Sequence, residues 1–494
     1  MAMNLQVKRV DVSGANFIGL RGAGRMSKKT IGWMKGQGVR AVAHLEIDGQ
    51  RKALPIRLDD LPESMLAHTL LTGFNRQSFV QPADMAAVST KVEVLLTNQE
   101  FGDKVAARLI DEAAPADDID WSKLPFDLNL PERTTMYVAK VRHTYDAKKN
   151  TVRGSWEAQN PDHSKCLFPF SDTLESPAAQ NKHYGQLCFE GIKAFRTIDG
   201  RLVIFRLREN ALRLQRSARR LGMTPASVEW YMEAIRQAVL ANKDLIPPPG
   251  NMAAMYIRPV QIGSGKRLGV KEAGEETLMI FVSPVGPYYP NGFEPIKIRT
   301  PNSSIRRSGN GLTGRVKAAG NYVMGLIELI FAKKQGFNEI LWIRNHNGQY
   351  YPEEVGTSNL FYVIDGELYT PELSDTILPG VTRDSIIKLA RALGIKVHEG
   401  EMPLTEVLAR ATEVFSTGTA AVVTPVGSIT HLKQEVIFNE GKVGWMTQLL
   451  YNALVALQEG RFDDPALDGI SPDLLEEFKA DWIFYLEQER QPAV

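Results

Sequence analysis

The sequence predicts an α+β fold spread over more than one domain, and three observations lead there. A chain of 494 residues is too long for one ordinary hydrophobic core. Its apolar residues fall both into short runs of period two and into longer runs of helical period. These strand runs sit beside segregated helices instead of alternating with them one for one, which suggests α+β layering over a regular parallel sheet.

Composition bounds the function classes. The 44% hydrophobic and 23% charged content is that of a soluble globular protein, and a net charge of +1 gives no global argument for a nucleic-acid or membrane partner. Cys166 and Cys188 are the two cysteines, too few for a disulfide framework in so long a chain, and nothing suggests a zinc or other metal site. The first residues, Met1-Ala-Met-Asn-Leu-Gln-Val-Lys-Arg, lack the apolar core of a signal peptide, and no apolar run is long enough to span a bilayer. The expectation is a cytoplasmic enzyme.

Residues 1–130 read differently from the rest. Gly14–Gly38 is rich in glycine and basic residues, including Gly19-Leu-Arg-Gly-Ala-Gly-Arg. That run does not clearly join a strand to a helix, so a flexible basic loop accounts for it better than a phosphate cradle. Alternation from Val39, a turn at Asp48-Gly49 and the segment from Ala53 predict a hairpin. Residues 83–112 predict helix, and Ala113-Ala-Pro-Ala-Asp-Asp-Ile-Asp-Trp reads as a linker.

Further on, Gly191–Leu207 predicts a second hairpin turning near Asp199-Gly200. A helix follows, with Ala211, Leu214, Ala218 and Leu221 on one face and Arg213, Arg216 and Arg220 largely off it. Strands are predicted at Leu278–Ser283, Glu339–Ile343 and Leu360–Ile364, a helix at Arg383–Leu393, and an amphipathic helix in the tail from Pro472.

The most informative stretch is Thr313-Gly-Arg-Val-Lys-Ala-Ala-Gly-Asn-Tyr322, one lysine among small residues ahead of an apolar helical run. An amine held this way can form a Schiff base with a carbonyl cofactor, although most lysines are solvated surface groups. Its company decides the matter. The segments are His183-Tyr-Gly-Gln-Leu-Cys-Phe-Glu-Gly-Ile-Lys-Ala-Phe, Phe205-Arg206, Tyr256-Ile-Arg-Pro, Ser283-Pro-Val-Gly-Pro-Tyr, Lys317-Ala-Ala-Gly-Asn-Tyr, Glu354-Val-Gly-Thr-Ser-Asn-Leu-Phe, Leu378-Pro-Gly-Val-Thr-Arg and Ser416-Thr-Gly-Thr-Ala-Ala. In this order and spacing they resemble the branched-chain amino acid aminotransferases, fold-type-IV pyridoxal 5'-phosphate enzymes, over roughly residues 135–460.

The resemblance implies a two-domain fold-type-IV aminotransferase of α+β class, with a small domain at 131–285 and a large domain at 286–494 ending in a C-terminal helix. Residues 1–130 would be an additional N-terminal α/β segment of unknown role. It also implies a homodimer or an assembly of dimers, with the cofactor in the cleft between domains. Lys317 would carry the cofactor and move the proton between the donor's α-carbon and the cofactor. Of the adjacent Glu353 and Glu354, only one can face the site if the segment is a strand, and the family pattern picks Glu354 as partner of the pyridine nitrogen. A guanidinium suits phosphate; many arginines nearby are equal by charge alone, and the family match selects Arg206. Val381 and Thr382, at a helix start, would hold the phosphate with Thr419; Thr357 would line the cofactor site, and Tyr322 would bond the phenolic oxygen.

For the substrate, the resemblance implies backbone N–H groups around Thr419 and Ala420 for the carboxylate. Tyr256 and Arg258, on one face of a strand, would serve a pocket that takes both an apolar side chain and glutamate. Tyr184, Phe189 and Tyr288 would wall it, and Leu268 and Val270 would close it from the neighbouring protomer. Ala421-Val-Val-Thr424 stands where some members carry a cysteine pair, which excludes thiol regulation at that place. The implied activity is ping-pong transfer of an amino group from an L-amino acid, branched-chain or otherwise apolar, to 2-oxoglutarate. Phe189-Glu-Gly and Tyr256-Ile-Arg argue against two rivals of the same fold, D-amino acid transaminase and aminodeoxychorismate lyase. The alternative is a specialised amino acid substrate, with residues 1–130 as a partner-binding module.

Overall fold

The computed structural model describes residues 40–47, 50–57, 115–116, 118–146, 151–171, 175–250, 252–289, 291–301 and 313–486. The glycine-rich run and the helix expected at 83–112 lie outside them. Contacts divide the chain into two units, Met1–Asp120 with Thr197–Arg201, and Trp121–Arg196 with Leu202–Val494. In the first, the expected hairpin forms: β1 (Arg40–Ile47) pairs antiparallel with β2 (Gln50–Arg57), and Ile47 lies opposite Gln50. That register leaves Asp48-Gly49 as a two-residue turn.

The second unit holds two sheets. The first takes β3 (Thr135–Arg142), β4 (Leu167–Pro169), β5 (Leu187–Phe189), β6 (Ile192–Arg196), β7 (Leu202–Phe205), β8 (Ala254–Gly263) and β9 (Glu275–Val285). β6 and β7 are the second expected hairpin, and β8 pairs with β5, β6 and β9. Helices α1 (Leu207–Arg220) and α2 (Val228–Leu240) follow β7. Residues 121–134, ahead of Thr135, also belong to this unit. Asn129 N–H donates to Ser283 Oγ at 2.8 Å, and its side-chain amide to Pro284 O at 2.9 Å.

The second sheet takes β10 (Ile296–Arg299), β11 (Glu339–His346), β12 (Gln349–Val355), β13 (Ser358–Ile364), β14 (Glu367–Thr370), β15 (Val397–Glu399), β16 (Glu413–Gly418), β17 (Val422–His431) and β18 (Gln434–Ile437). Its order is β12-β11-β10-β17-β16-β13-β14-β15, and β12 also pairs with β13, so part of the sheet closes on itself and loses its edges. Both faces are packed. On β13, Leu360, Tyr362 and Ile364 point into one core with Ile298, Leu341 and Val414. Phe361 and Val363 point into another, with helices α3 (Val381–Ala392) and α4 (Trp445–Gln458). Phe361 lies opposite Phe415, their rings stacked at 5.1 Å. Burial on both sides explains why this strand reads as an unbroken apolar run.

The tail helix α5 (Pro472–Trp482) ends earlier than its amphipathic pattern suggests. The next residues form β19 (Ile483–Tyr485), which pairs with β7 and completes the first sheet. Among the described residues no helix is long and apolar enough to cross a membrane.

Candidate active site

The Lys317 segment is not in regular structure, yet its backbone is anchored on several sides. Phe189 N–H donates to Lys317 O at 3.2 Å, and Ala319 N–H to Leu187 O at 3.2 Å, so the segment runs antiparallel along β5. Lys317 N–H donates to Ser217 Oγ of α1 at 3.0 Å. The buried Asn321 donates to Thr313 O at 2.6 Å and to Val316 O at 3.0 Å, stapling the turn. From this base Lys317 Nζ donates to Tyr322 Oη at 2.8 Å and stands 4.9 Å from the centre of the Phe189 ring.

Phe189, Tyr256 and Arg258 gather around it. The Arg258 guanidinium lies 4.9 Å over the Phe189 ring and donates from Nη2 to Tyr256 Oη at 3.2 Å. Arg258 Nε is buried and, among the described residues, has no hydrogen-bond partner. Tyr256 Oη presses on the backbone beside it: a Cβ at Gly191 would lie 2.1 Å from that oxygen, so the Phe-Glu-Gly motif needs its glycine. Tyr288 approaches through Phe126, whose ring meets those of Tyr256 at 5.4 Å and Tyr288 at 5.0 Å. Phe126 was hidden in what reads as the end of the N-terminal extension. Tyr184 is half-exposed and its hydroxyl donates to Leu268 O.

Glu354 and Glu353 separate as a strand requires. A bulge in the β11–β12 pairing falls beside them, with Glu354 opposite Trp342. Glu354 is 2% exposed, and its Oε1 accepts from Leu378 N–H at 3.1 Å. Glu353 is engaged elsewhere, accepting from Thr376 Oγ1 at 2.7 Å and lying 3.6 Å from Arg344. Both are buried, where an isolated pair of glutamates is more often solvated. Thr357 is exposed at the following turn.

Val381 and Thr382 open α3 and share a cavity with Thr419. Gly380 caps the helix without a side-chain hydrogen bond, and among the described residues no backbone acceptor takes the N–H of Val381 or Thr382. A Cβ at Gly380 would lie 2.0 Å from Asn359 Oδ1, which reserves the cap for glycine. Thr419, Ala420 and Ala421 form the loop between Gly418 and Val422, which pair across β16 and β17. Among the described residues no backbone acceptor takes the N–H of Thr419 or Ala420.

Arg206 does not join these groups. Its guanidinium is buried against Asp384, 2.6 Å from Nη2, and Ser385, and lies 4.8 Å over the Trp482 ring. The guanidinium beside the site is Arg213, against the expectation that it lies off the buried helix face. It is 4% exposed and forms a two-point ion pair with the fully buried Glu190, both bonds 2.7 Å; Nη1 donates to Pro379 O at 3.2 Å, just before the start of α3. Burial opposes its charge, but Glu190 outweighs that and holds its pKa above the ordinary value, with smaller contributions from nearby Tyr322 and Tyr256. A charged residue on a helix looks solvent-facing to a pattern that counts apolar positions. The only hint was Glu190, which is itself part of the Phe-Glu-Gly motif.

Comparison with known proteins places this arrangement. Residues 187–429 match the family Amino-transferase class IV. The chain is 40% identical to branched-chain-amino-acid aminotransferase 5, chloroplastic, of Arabidopsis thaliana, over 70% of this chain and 79% of that one. It is 40% identical to branched-chain-amino-acid transaminase 1 of Bacillus subtilis, over 61% of this chain and 86% of that one. Among solved structures it resembles the branched-chain amino acid aminotransferase from Escherichia coli, with TM-score 0.53 and 30% identity over 65% of this chain and 97% of that one. Plant relatives overturn the cytoplasmic expectation, since aminotransferases 5 and 3 of Arabidopsis thaliana and aminotransferase 2 of Humulus lupulus are named as chloroplastic. With that exception the motifs, the fold and the relatives agree, and the chain belongs to the branched-chain amino acid aminotransferases of class IV, pyridoxal 5'-phosphate enzymes that pass an amino group from a branched-chain amino acid to 2-oxoglutarate.

Proposed function

We propose that the roles in this transamination fall to the residues as follows. The observation that carries the assignment is Lys317 Nζ held at 2.8 Å by Tyr322 Oη on a backbone fixed from three sides. The residues present fit pyridoxal 5'-phosphate. A helix start with uncapped N–H groups at Val381 and Thr382, beside Thr419, suits the phosphate, and the buried carboxyl of Glu354 suits the ring nitrogen. Arg213, which reaches Pro379 O, takes the place at the phosphate end that the resemblance implies for Arg206.

Bound there, the cofactor supplies an electrophilic carbon for the donor's amine and a ring that draws electrons from its α-carbon. Lys317 Nζ moves the proton from that carbon, and Tyr322 Oη orients the amine and shares its proton. Glu354 keeps the ring nitrogen protonated. Thr419 and Ala420 N–H groups bind the substrate's α-carboxylate, which supplies the acceptor they lack. Phe189, Tyr256 and Tyr288, with Phe126 behind them, enclose an apolar side chain, and Arg258 Nε receives the distal carboxylate of glutamate. Tyr184 and Thr357 stand at the margin of this group.

A second copy of the chain completes the pocket. Leu268 and Val270 are 87% and 76% exposed, and Val323, Met324, Leu326, Ile327 and Phe331, after the lysine turn, expose another apolar surface. Sedimentation reading a dimer supports this; a monomer at assay concentration refutes it. The roles are tested by the half-reaction. Purified protein loaded with the cofactor should show its visible band, and leucine, isoleucine or valine added without an acceptor should bleach it. Lys317→Ala should abolish the bleaching. A Lys317→Ala protein that bleaches at the wild-type rate overturns the assignment.

A further inference from the structure

One buried cation in this region has no part in the mechanism above. Lys193 lies on β6, is 6% exposed, and donates from Nζ to Ala420 O at 2.9 Å. The register places it directly opposite Tyr256 on β8, and Phe189 opposite Val260. Residues opposite each other share a face, and positions two apart along β8 share it too. Phe189, Lys193, Tyr256 and Arg258 therefore rise from one face of the first sheet, and Lys193 reaches from it to the β16–β17 loop of the second sheet. It lines the same cavity as Val381, Thr382 and Thr419.

The loop it reaches is built under constraint. Val422, the residue that closes it, has φ of 59°, the left-handed region that a β-branched residue rarely enters. Such a conformation persists where the surroundings over-determine it. The Gly418–Val422 pair restrains one end, and the lysine takes the Ala420 carbonyl between them. The bond to Lys193 fixes the peptide plane between Ala420 and Ala421, and beside it the N–H groups of Thr419 and Ala420 are free of backbone acceptors among the described residues. Keeping an ammonium in this place is costly, since burial pushes its pKa down to about 8. A methionine would fill the volume without that cost.

We propose that Lys193 is a positioning residue for substrate: by holding the Ala420 carbonyl it aims the free N–H groups of the 419–421 loop at the α-carboxylate. The proposal rests on the reading of that loop as the carboxylate site. Lys193→Met is compared with wild type in the pyridoxal-phosphate-loaded protein. Three probes are used: 4-methylvaleric acid, a carboxylate with no amine, titrated by its effect on the visible spectrum; leucine, in the half-reaction; and 3-methylbutylamine, the same skeleton without the carboxylate. The expected result is weaker 4-methylvaleric acid binding and a higher leucine KM, each by about tenfold, the size of one hydrogen bond to a charged group. The limiting rate with leucine and the response to the amine should stay within about twofold of wild type on the same scale. Lys193→Arg, which keeps a donor of similar reach, should restore most of the carboxylate affinity, and it is also the variant to use if the methionine protein does not fold. Unchanged affinity in Lys193→Met overturns the proposal, as does an equal loss for leucine and the amine. A wild-type protein that leucine does not bleach would instead overturn the parent reading of the site.

Discussion

Replacing Glu339 by glutamine measures what a buried acid costs beside the turn that follows Glu354. Glu339 begins β11 and is 8% exposed; its carboxyl packs under Gly356, where an added Cβ would lie 2.2 Å from Cδ. Burial raises its pKa from 4.5 to about 7, against the smaller opposing effects of the Ile340 N–H and Lys333. The sign follows from linkage. Between those two values the folded state holds a proton that the unfolded state has lost, so stability falls as pH rises through the window and the loss is complete above it. At about 1.4 kcal/mol per pH unit the whole penalty is about 3 kcal/mol. Glutamine has nearly the shape of the protonated acid and can still accept from Ile340 N–H, 3.0 Å away in the native protein. Glu339→Gln should therefore leave stability near pH 4.5 unchanged and raise it near pH 8 by up to about 3 kcal/mol. In thermal unfolding that is a rise of roughly 5–10 °C at the higher pH. An equal effect at both pH values, or destabilisation at both, would refute the reasoning, because packing and not ionisation would then govern the position.

Two further expectations separate readings that the sequence could not. Arg213→Met strands Glu190 without its partner and should cost about 3–5 kcal/mol, with loss of the cofactor on dialysis. Arg206→Met leaves Asp384, 44% exposed, to be solvated and should keep the cofactor; cofactor retention after dialysis checks both, and the reverse pattern would return the phosphate role to Arg206. A protein beginning at Trp121 should keep the half-reaction, whereas one beginning at Thr135 loses Phe126 and Asn129 and should bind leucine poorly or fail to fold. Equal behaviour of the two would make the 121–134 segment dispensable, and activity lost in both would tie residues 1–120 to the catalytic body.

The chemistry-bearing segments were legible because they are local. Lys317 with Tyr322, Glu354 with its turn, and the helix start at Val381 each lie within a short motif, and the family resemblance, carried by those motifs, implied their roles and chose Glu354 over Glu353. The hairpin at β6–β7 and the strand β13 were legible for the same reason, through turn residues and apolar runs. What pattern could not reach is long-range pairing. Arg213 is buried only because Glu190 meets it, and Phe126 joins the pocket only because Asn129 and Pro125 bond to the end of β9. Lys193 was unremarkable within its hairpin, and its partner, Ala420 O, lies in the β16–β17 loop of the second sheet. In each case the partner lies on another element, and periodicity within one element carries no information about it.

The last strand bears on how the chain can be made. β19 supplies the neighbour of β7, and Trp482 just before it covers Arg206, although more than half the chain separates them. During synthesis at about 5–20 residues per second, the edge of the first sheet waits roughly 15–55 seconds for its final strand to leave the ribosome. An unpaired edge is open for that interval to the wrong neighbour. A nascent chain stalled before Ile483 should expose that edge to chaperones, and even a short deletion at the carboxyl end should lower soluble yield more than its few buried residues would suggest.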